Sequence, residues 1–238
     1  MNTPEHTPSP ITLGIEMSNP SSTSADSPAH AIALWSGSNH DAPLLDSSPM
    51  PKGTRGSDGV MRAIELICEC NGVRPGSIAR ILVSVGPGGY TALRIATTTA
   101  KMLAHTLGAE VIPVPSALVA STALTPGMCP ALITLASKKG KTHASIATEP
   151  GTVNEIGVIG ADSLESLGLG SIVADTHLPE TFAQQAQALG LDRHELVLDA
   201  RNLLRASQGI EPIESMRLTP LYAREPDAVT QWRARGSR

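Results

Sequence analysis

Residues 81–94 read Ile81-Leu82-Val83-Ser84-Val85-Gly86-Pro87-Gly88-Gly89-Tyr90-Thr91-Ala92-Leu93-Arg94. A short apolar run bounded by turn residues suits a strand buried on both faces. Gly86-Pro87-Gly88-Gly89 breaks it, and Ala92 to Leu107 follows as the longest helical stretch, with Gly108 to end it. Strand, glycine turn and helix in that order point to an α/β protein. Glycines there let the backbone turn sharply and approach another group closely. Two readings stay open. Successive amides at a helix start can hold an anion, or the segment is simply a tight strand-to-helix connection. The usual templates do not decide between them. Thr91 stands where a dinucleotide fingerprint has its third glycine, and no Gly-Lys-Ser/Thr ending follows.

Outward from this segment the chain alternates strands and helices. Ile11 to Glu16 and Ala29 to Leu34 read as strands, as do Val111 to Val114, Glu155 to Ile159, Ile172 to Ala174 and Leu196 to Leu198. Ala131 to Leu135 and Thr142 to Ala147 read as a hairpin around Lys138-Lys139-Gly140. Asp58 to Asn71 and Leu178 to Leu189 read as helices. Residues 1–10 read as a disordered tail, Met17 to Ser27 as a Ser/Pro-rich loop, and Pro43 to Gly56 as irregular. No fixed-period repeat is visible. The composition shift at Thr125-Pro126-Gly127 predicts two α/β subdomains, 11–120 and 121–238.

Composition narrows the function. Of 238 residues only five are aromatic, while 41% are hydrophobic, so Ala, Leu, Ile and Val must build the core. Base-stacking recognition, peptide grooves and sugar platforms all draw on aromatics. The formal net charge of −4 is no electrostatic footprint for gripping nucleic acid unaided. Cys68, Cys70 and Cys129 give no disulfide framework, which predicts a reducing cytoplasm. Cys68 and Cys70 point to different sides of a helix, so they read as small hydrophobes, not as a metal pair. The N-terminus lacks the basic start and apolar run of a signal peptide. The uncharged run Val111 to Ser137 is cut by Pro113, Pro115, Pro126, Gly127 and Pro130 and does not read as a membrane span.

The two long helices carry a second clue. In Asp58–Asn71, Arg62, Glu65 and Glu69 share one narrow strip, and most of the remaining surface is apolar. In Ala92–Leu107, Arg94, Lys101 and His105 do the same. A helix on the outside of a sheet needs one apolar face. Both have more, which fits either burial within the chain or a helical interface with another protein.

Gly86-Pro87-Gly88-Gly89-Tyr90-Thr91-Ala92-Leu93-Arg94-Ile95, with Ala100-Lys101-Met102-Leu103-Ala104, resembles the signature shared by TsaB and TsaD. These paralogues serve bacterial tRNA threonylcarbamoyladenosine synthesis. Leu13-Gly14-Ile15-Glu16-Met17-Ser18 is similar to the opening strand and turn of the family. Leu132 to His143 is similar to its central hairpin. Pro220-Leu221-Tyr222-Ala223-Arg224-Glu225-Pro226 is similar to its Pro-x-Tyr-x-Arg ending. The resemblance implies an actin-like, Hsp70-like ATPase fold of two related subdomains with a degenerate site. TsaD-type chains carry a His-x-x-x-His metal pair after the signature helix and next strand. Those positions fall near Ser116 and Ala120, and none of the seven histidines forms such a pair. The resemblance is therefore to TsaB (YeaZ), the non-catalytic partner. Glu16 replaces the usual Asp, Gly56-Ser57-Asp58 the usual His-Ser-Glu, and Ala136-Ser137-Lys138-Lys139-Gly140-Lys141 the usual Asp-Ala-Arg-Arg-Gly-Glu. Each change removes or moves polar groups that the resemblance puts around the cleft.

What the resemblance implies is an accessory subunit that binds and activates TsaD, with no metal or cofactor on this chain alone. ATP and a metal enter through TsaD and the ATPase TsaE, and tRNA through the complex. The implied interface residues are Met61, Ile64, Glu65, Cys68, Arg94, Thr98, Lys101 and Met102, on a soluble protein with no membrane contact. The same faces could form a homodimer when TsaD is absent. The competing reading is a small ATPase or kinase using Gly86, Pro87, Gly88, Gly89 and Thr91. It lacks an evident pair of cleft carboxylates for Mg²⁺. A protease reading finds no Ser/His/Asp spacing to support it.

Overall fold

The computed structural model describes residues 10–18, 30–50, 57–224 and 232, with side chains from Gly59 onward in the first helix. The tail 1–9, most of the Ser/Pro-rich loop, residues 51–56, and the Glu225-Pro226 end of the C-terminal motif lie outside the described residues.

Two sheets of five strands form the frame. In the first, β1 (Ile11–Glu16) lies at the centre, with β2 (Ala31–Ser36) antiparallel on one side and β3 (Leu44–Pro49) antiparallel beyond it. On its other side run β4 (Ile78–Gly86) and β5 (Glu110–Pro115), both parallel. In the second, β6 (Ala131–Lys138) is central, and β7 (Lys141–Glu149) and β8 (Thr152–Gly160) are antiparallel neighbours. β9 (Ser171–Ala174) and β10 (Asp192–Glu195) complete it in parallel. The orders 3-2-1-4-5 and 8-7-6-9-10 are one topology used twice, which gives the two related subdomains that the resemblance implied. The sequence shows no repeat because the two copies share pattern, not residues.

Three apolar cores hold five layers together. Helices α1 (Ser57–Cys70) and α2 (Tyr90–Leu107) cover the outer face of the first sheet. They pack there on Ile11, Leu13 and Ile15 of β1 and on Ile81 and Val83 of β4. The spacing of two along each strand puts these side chains on one face. A central core lies between the sheets. Ala33, Trp35, Leu82 and Val114 enter it from the first sheet, and Ile133, Leu135 and Val173 from the second. Between them sit α3 (Ser116–Ser121) and α5 (Leu203–Ala206). The outer face of the second sheet is covered by a 3-10 helix (Ala161–Leu167) and α4 (Glu180–Ala188), around the fully buried Phe182.

Three expectations change. The segment read as irregular, Pro43 to Gly56, contains β3, an edge strand held by its ladder to β2 and not by an alternating pattern. Leu196 to Leu198 is not a strand. The polar run Asp192–Glu195 pairs with β9 instead, while Leu196 and Leu198 fill the central core as extended chain. The C-terminal segment does not stay with the second sheet. Ile213 pairs with Val111, Leu218 is buried under the first sheet's helices, and the Leu221 amide donates to the Val85 carbonyl at 2.7 Å.

Candidate functional site: a two-helix face and a closed glycine turn

α1 and α2 lie side by side on one sheet face, so their outer surfaces are continuous. On α1 the sheet takes Val60, Ala63, Ile64, Ile67 and Cys68, and leaves Met61, Arg62, Glu65 and Glu69 in solvent. Arg62 and Glu65 pair one turn apart at 2.5 Å, a solvent-screened surface contact that contributes little to stability. On α2 the sheet takes Leu93, Ala96, Ala100 and Ala104, mostly small residues that let the helix lie close to β4. Gly108, left-handed at φ 66°, ends the helix.

The eight predicted interface residues divide on this geometry. Met61, Glu65, Arg94, Thr98 and Met102 are exposed, with Met61 at 46% and Met102 at 54%. Lys101 is half-buried. Ile64 and Cys68 are corrected: at 4% and 2% exposure they belong to the core beneath α1 and cannot meet a partner. A helix wheel shows how wide the apolar arc is but not which part of it the sheet will claim. Burial also pushes the Cys68 thiol above its usual range, which keeps it unreactive.

The glycine turn is closed by the chain itself. A Cβ on Gly88 would collide with the carbonyl of Ser18, whose oxygen also accepts the Gly89 amide at 2.7 Å. A Cβ on Gly86, at φ 104°, would come within 2.7 Å of the Leu221 carbonyl. These glycines therefore admit two neighbouring strands of backbone. Thr91 is exposed just beyond them. Tyr90 stacks on Tyr222 with ring centres 4.9 Å apart, and Arg94 lies 5.4 Å from the Tyr90 ring centre. The C-terminal motif was legible in the sequence; its seat on the turn was not.

Glu16 ends β1 beside this turn and is fully buried. One carboxyl oxygen accepts from the amide of Ser18, at 2.7 Å, and from its hydroxyl. The other has no hydrogen-bond partner. Burial raises its pKa, outweighing the Ser18 hydrogen bonds that lower it, and the nearby Asp199 raises it further. Asp199 is itself held by Arg201. Among the described residues no three His, Cys, Asp or Glu side chains converge as a metal site. Nor is any described helix long and apolar enough to cross a membrane. Ser116 and Ala120 are buried on α3, with the Ser116 hydroxyl 2.9 Å from that of Ser84.

This two-sheet architecture is shared with solved bacterial structures. YeaZ from Pseudomonas aeruginosa is 14% identical and matches 90% of this chain and 99% of its own, with a TM-score of 0.64. A structure described as an uncharacterised protein with similarity to peptidase YeaZ from Pseudomonas aeruginosa is 16% identical. It matches 90% of this chain and 100% of its own, with a TM-score of 0.66. Residues 55–168 match the family model of TsaD, tRNA N6-adenosine threonylcarbamoyltransferase. Just under half of the chain is thus similar to the TsaD family model, within a fold shared with YeaZ. No curated protein matches it in sequence.

Proposed function

We propose that this chain is a TsaB-type accessory subunit that binds a TsaD-type partner through the outer faces of α1 and α2. The observation that carries the reading is the joined helix face, which leaves Met61 and Met102 in solvent after the sheet has taken its share of apolar residues. Exposed methionines suit a surface that packs against another helix pair. The YeaZ fold and the TsaD-like segment support the same assignment.

In this reading the partner transfers the threonylcarbamoyl group to tRNA, and this subunit fixes the partner in its active arrangement. ATP, metal and the ATPase TsaE act through the complex in the cytoplasm. By the resemblance, the positions at which TsaD-type chains carry metal-binding histidines fall near Ser116 and Ala120, which supports an accessory role. Self-association through the same faces is the expected competitor when the partner is absent. The ATPase reading is less favoured because Ser18 and Leu221 backbone fills the space that the glycines open. Calorimetry with Mg-ATP separates the two: the accessory reading expects no binding to the isolated chain. Co-purification with a TsaD-type partner tests the interface, and Met61→Asp with Met102→Asp is expected to abolish it.

A further inference from the structure

We propose that the β6–β7 hairpin tip and the C-terminal Tyr222–Arg224 segment form an auxiliary surface for single-stranded RNA, a local cationic patch on an acidic chain that binds weakly by itself, at low salt, and adds to the grip of the complex. Lys139, Lys141 and Arg224 would contact phosphates there, and Tyr222 a base. The parts are joined by contacts. The Arg224 guanidinium donates to the Lys141 carbonyl at 3.1 Å, bringing the first lobe's strap to the second lobe's hairpin. Two residues earlier, Tyr222 is 41% exposed and stacked on Tyr90. Lys139 and Lys141 are exposed, and neither pairs with a carboxylate among the described residues. Cations along a track beside an accessible ring are what a single strand uses, since every base has a face to stack.

The turn itself supplies an independent sign. Lys139 and Gly140 form a two-residue loop with φ of 53° and 71°. Such a turn favours Asn or Asp before the glycine, and a lysine there is conformationally disfavoured. A residue held against its local preference points to a use for its charge. The inference deepens the proposed tRNA-linked role but is tested apart from it.

The experiment is fluorescence anisotropy of the full chain with a labelled RNA stem-loop, set against an RNA duplex of equal length. Lys139→Asn is expected to raise the melting temperature while weakening stem-loop binding about threefold. Adding Lys141→Gln should weaken it about tenfold and reduce the salt slope by roughly 1.4, the share of two phosphate contacts on a single strand. Tyr222→Phe should retain binding and Tyr222→Leu lose it. Absence of stem-loop binding at low salt, equal binding to the duplex, or full binding by the double variant would overturn the proposal. Co-purification of the double variant with the TsaD-type partner keeps the outcomes separate. RNA binding can fail while the partner still binds, and the reverse result removes only the accessory-subunit reading.

Discussion

The two lobes share a topology but finish it differently. In the first, β4 passes through Gly86-Pro87-Gly88-Gly89 into α2, an 18-residue helix. In the second, β9 passes through Asp175-Thr176-His177-Leu178-Pro179 into α4, of 9 residues. The first connection must admit Ser18 and Leu221 backbone, so it needs glycine. The second is held by its own local contact, the Asp175 carboxylate accepting the His177 amide at 2.9 Å. Their helices differ in the same sense. The solvent side of α4 carries Glu180, Thr181, Gln184 and Gln187, a finished polar surface, whereas α1 and α2 present Met61 and Met102. A shared frame thus carries two different outer faces, and the first lobe's is the one proposed here to meet a partner.

The largest expected contrast lies in the turns. Gly88→Ala should destabilise the protein by about 3 kcal/mol or more, because its Cβ meets fixed backbone. Thr176→Ala, in the matching connection and exposed, should stay within about 0.5 kcal/mol. Thermal denaturation of both variants checks this, and equal effects would break the comparison.

Within the first lobe, Ile64→Ala should cost about 2–4 kcal/mol in urea unfolding. Met61→Ala, one turn along the same helix and exposed, should stay within about 0.5 kcal/mol. That pair separates the face used by the sheet from the face left in solvent.

A smaller effect is expected at Glu16. Its folded-state pKa is raised, so the native state holds the proton more tightly than the unfolded chain does. The stabilisation this gives is present below the unfolded value and is lost as pH rises through the folded one. Glu16→Gln keeps an oxygen for Ser18 and removes that loss. Its stability relative to the parent should therefore improve on going from about pH 4 to about pH 8. A constant difference across that range would show that Glu16 ionises without penalty.

Much of the first lobe was legible in the sequence. Apolar runs marked β1, β4 and β5, and Gly108 marked the end of α2, because burial and left-handed backbone each demand particular residues. β3 was hidden, since Leu44-Leu45-Asp46-Ser47-Ser48-Pro49 has no alternation and depends on pairing with β2. The glycine turn was found but its occupant was not, because Ser18 and Leu221 are distant in sequence. Ile64 and Cys68 were misplaced for a related reason: both lie in an apolar arc that two surfaces could have shared.

The most direct test of the accessory-subunit account is light scattering after size exclusion, with the chain mixed with a TsaD-type partner from the same cell. The account predicts a heterodimer with the parent chain, and none with Met61→Asp and Met102→Asp, while the variant's own melting temperature is retained. A heterodimer that survives both substitutions would contradict it.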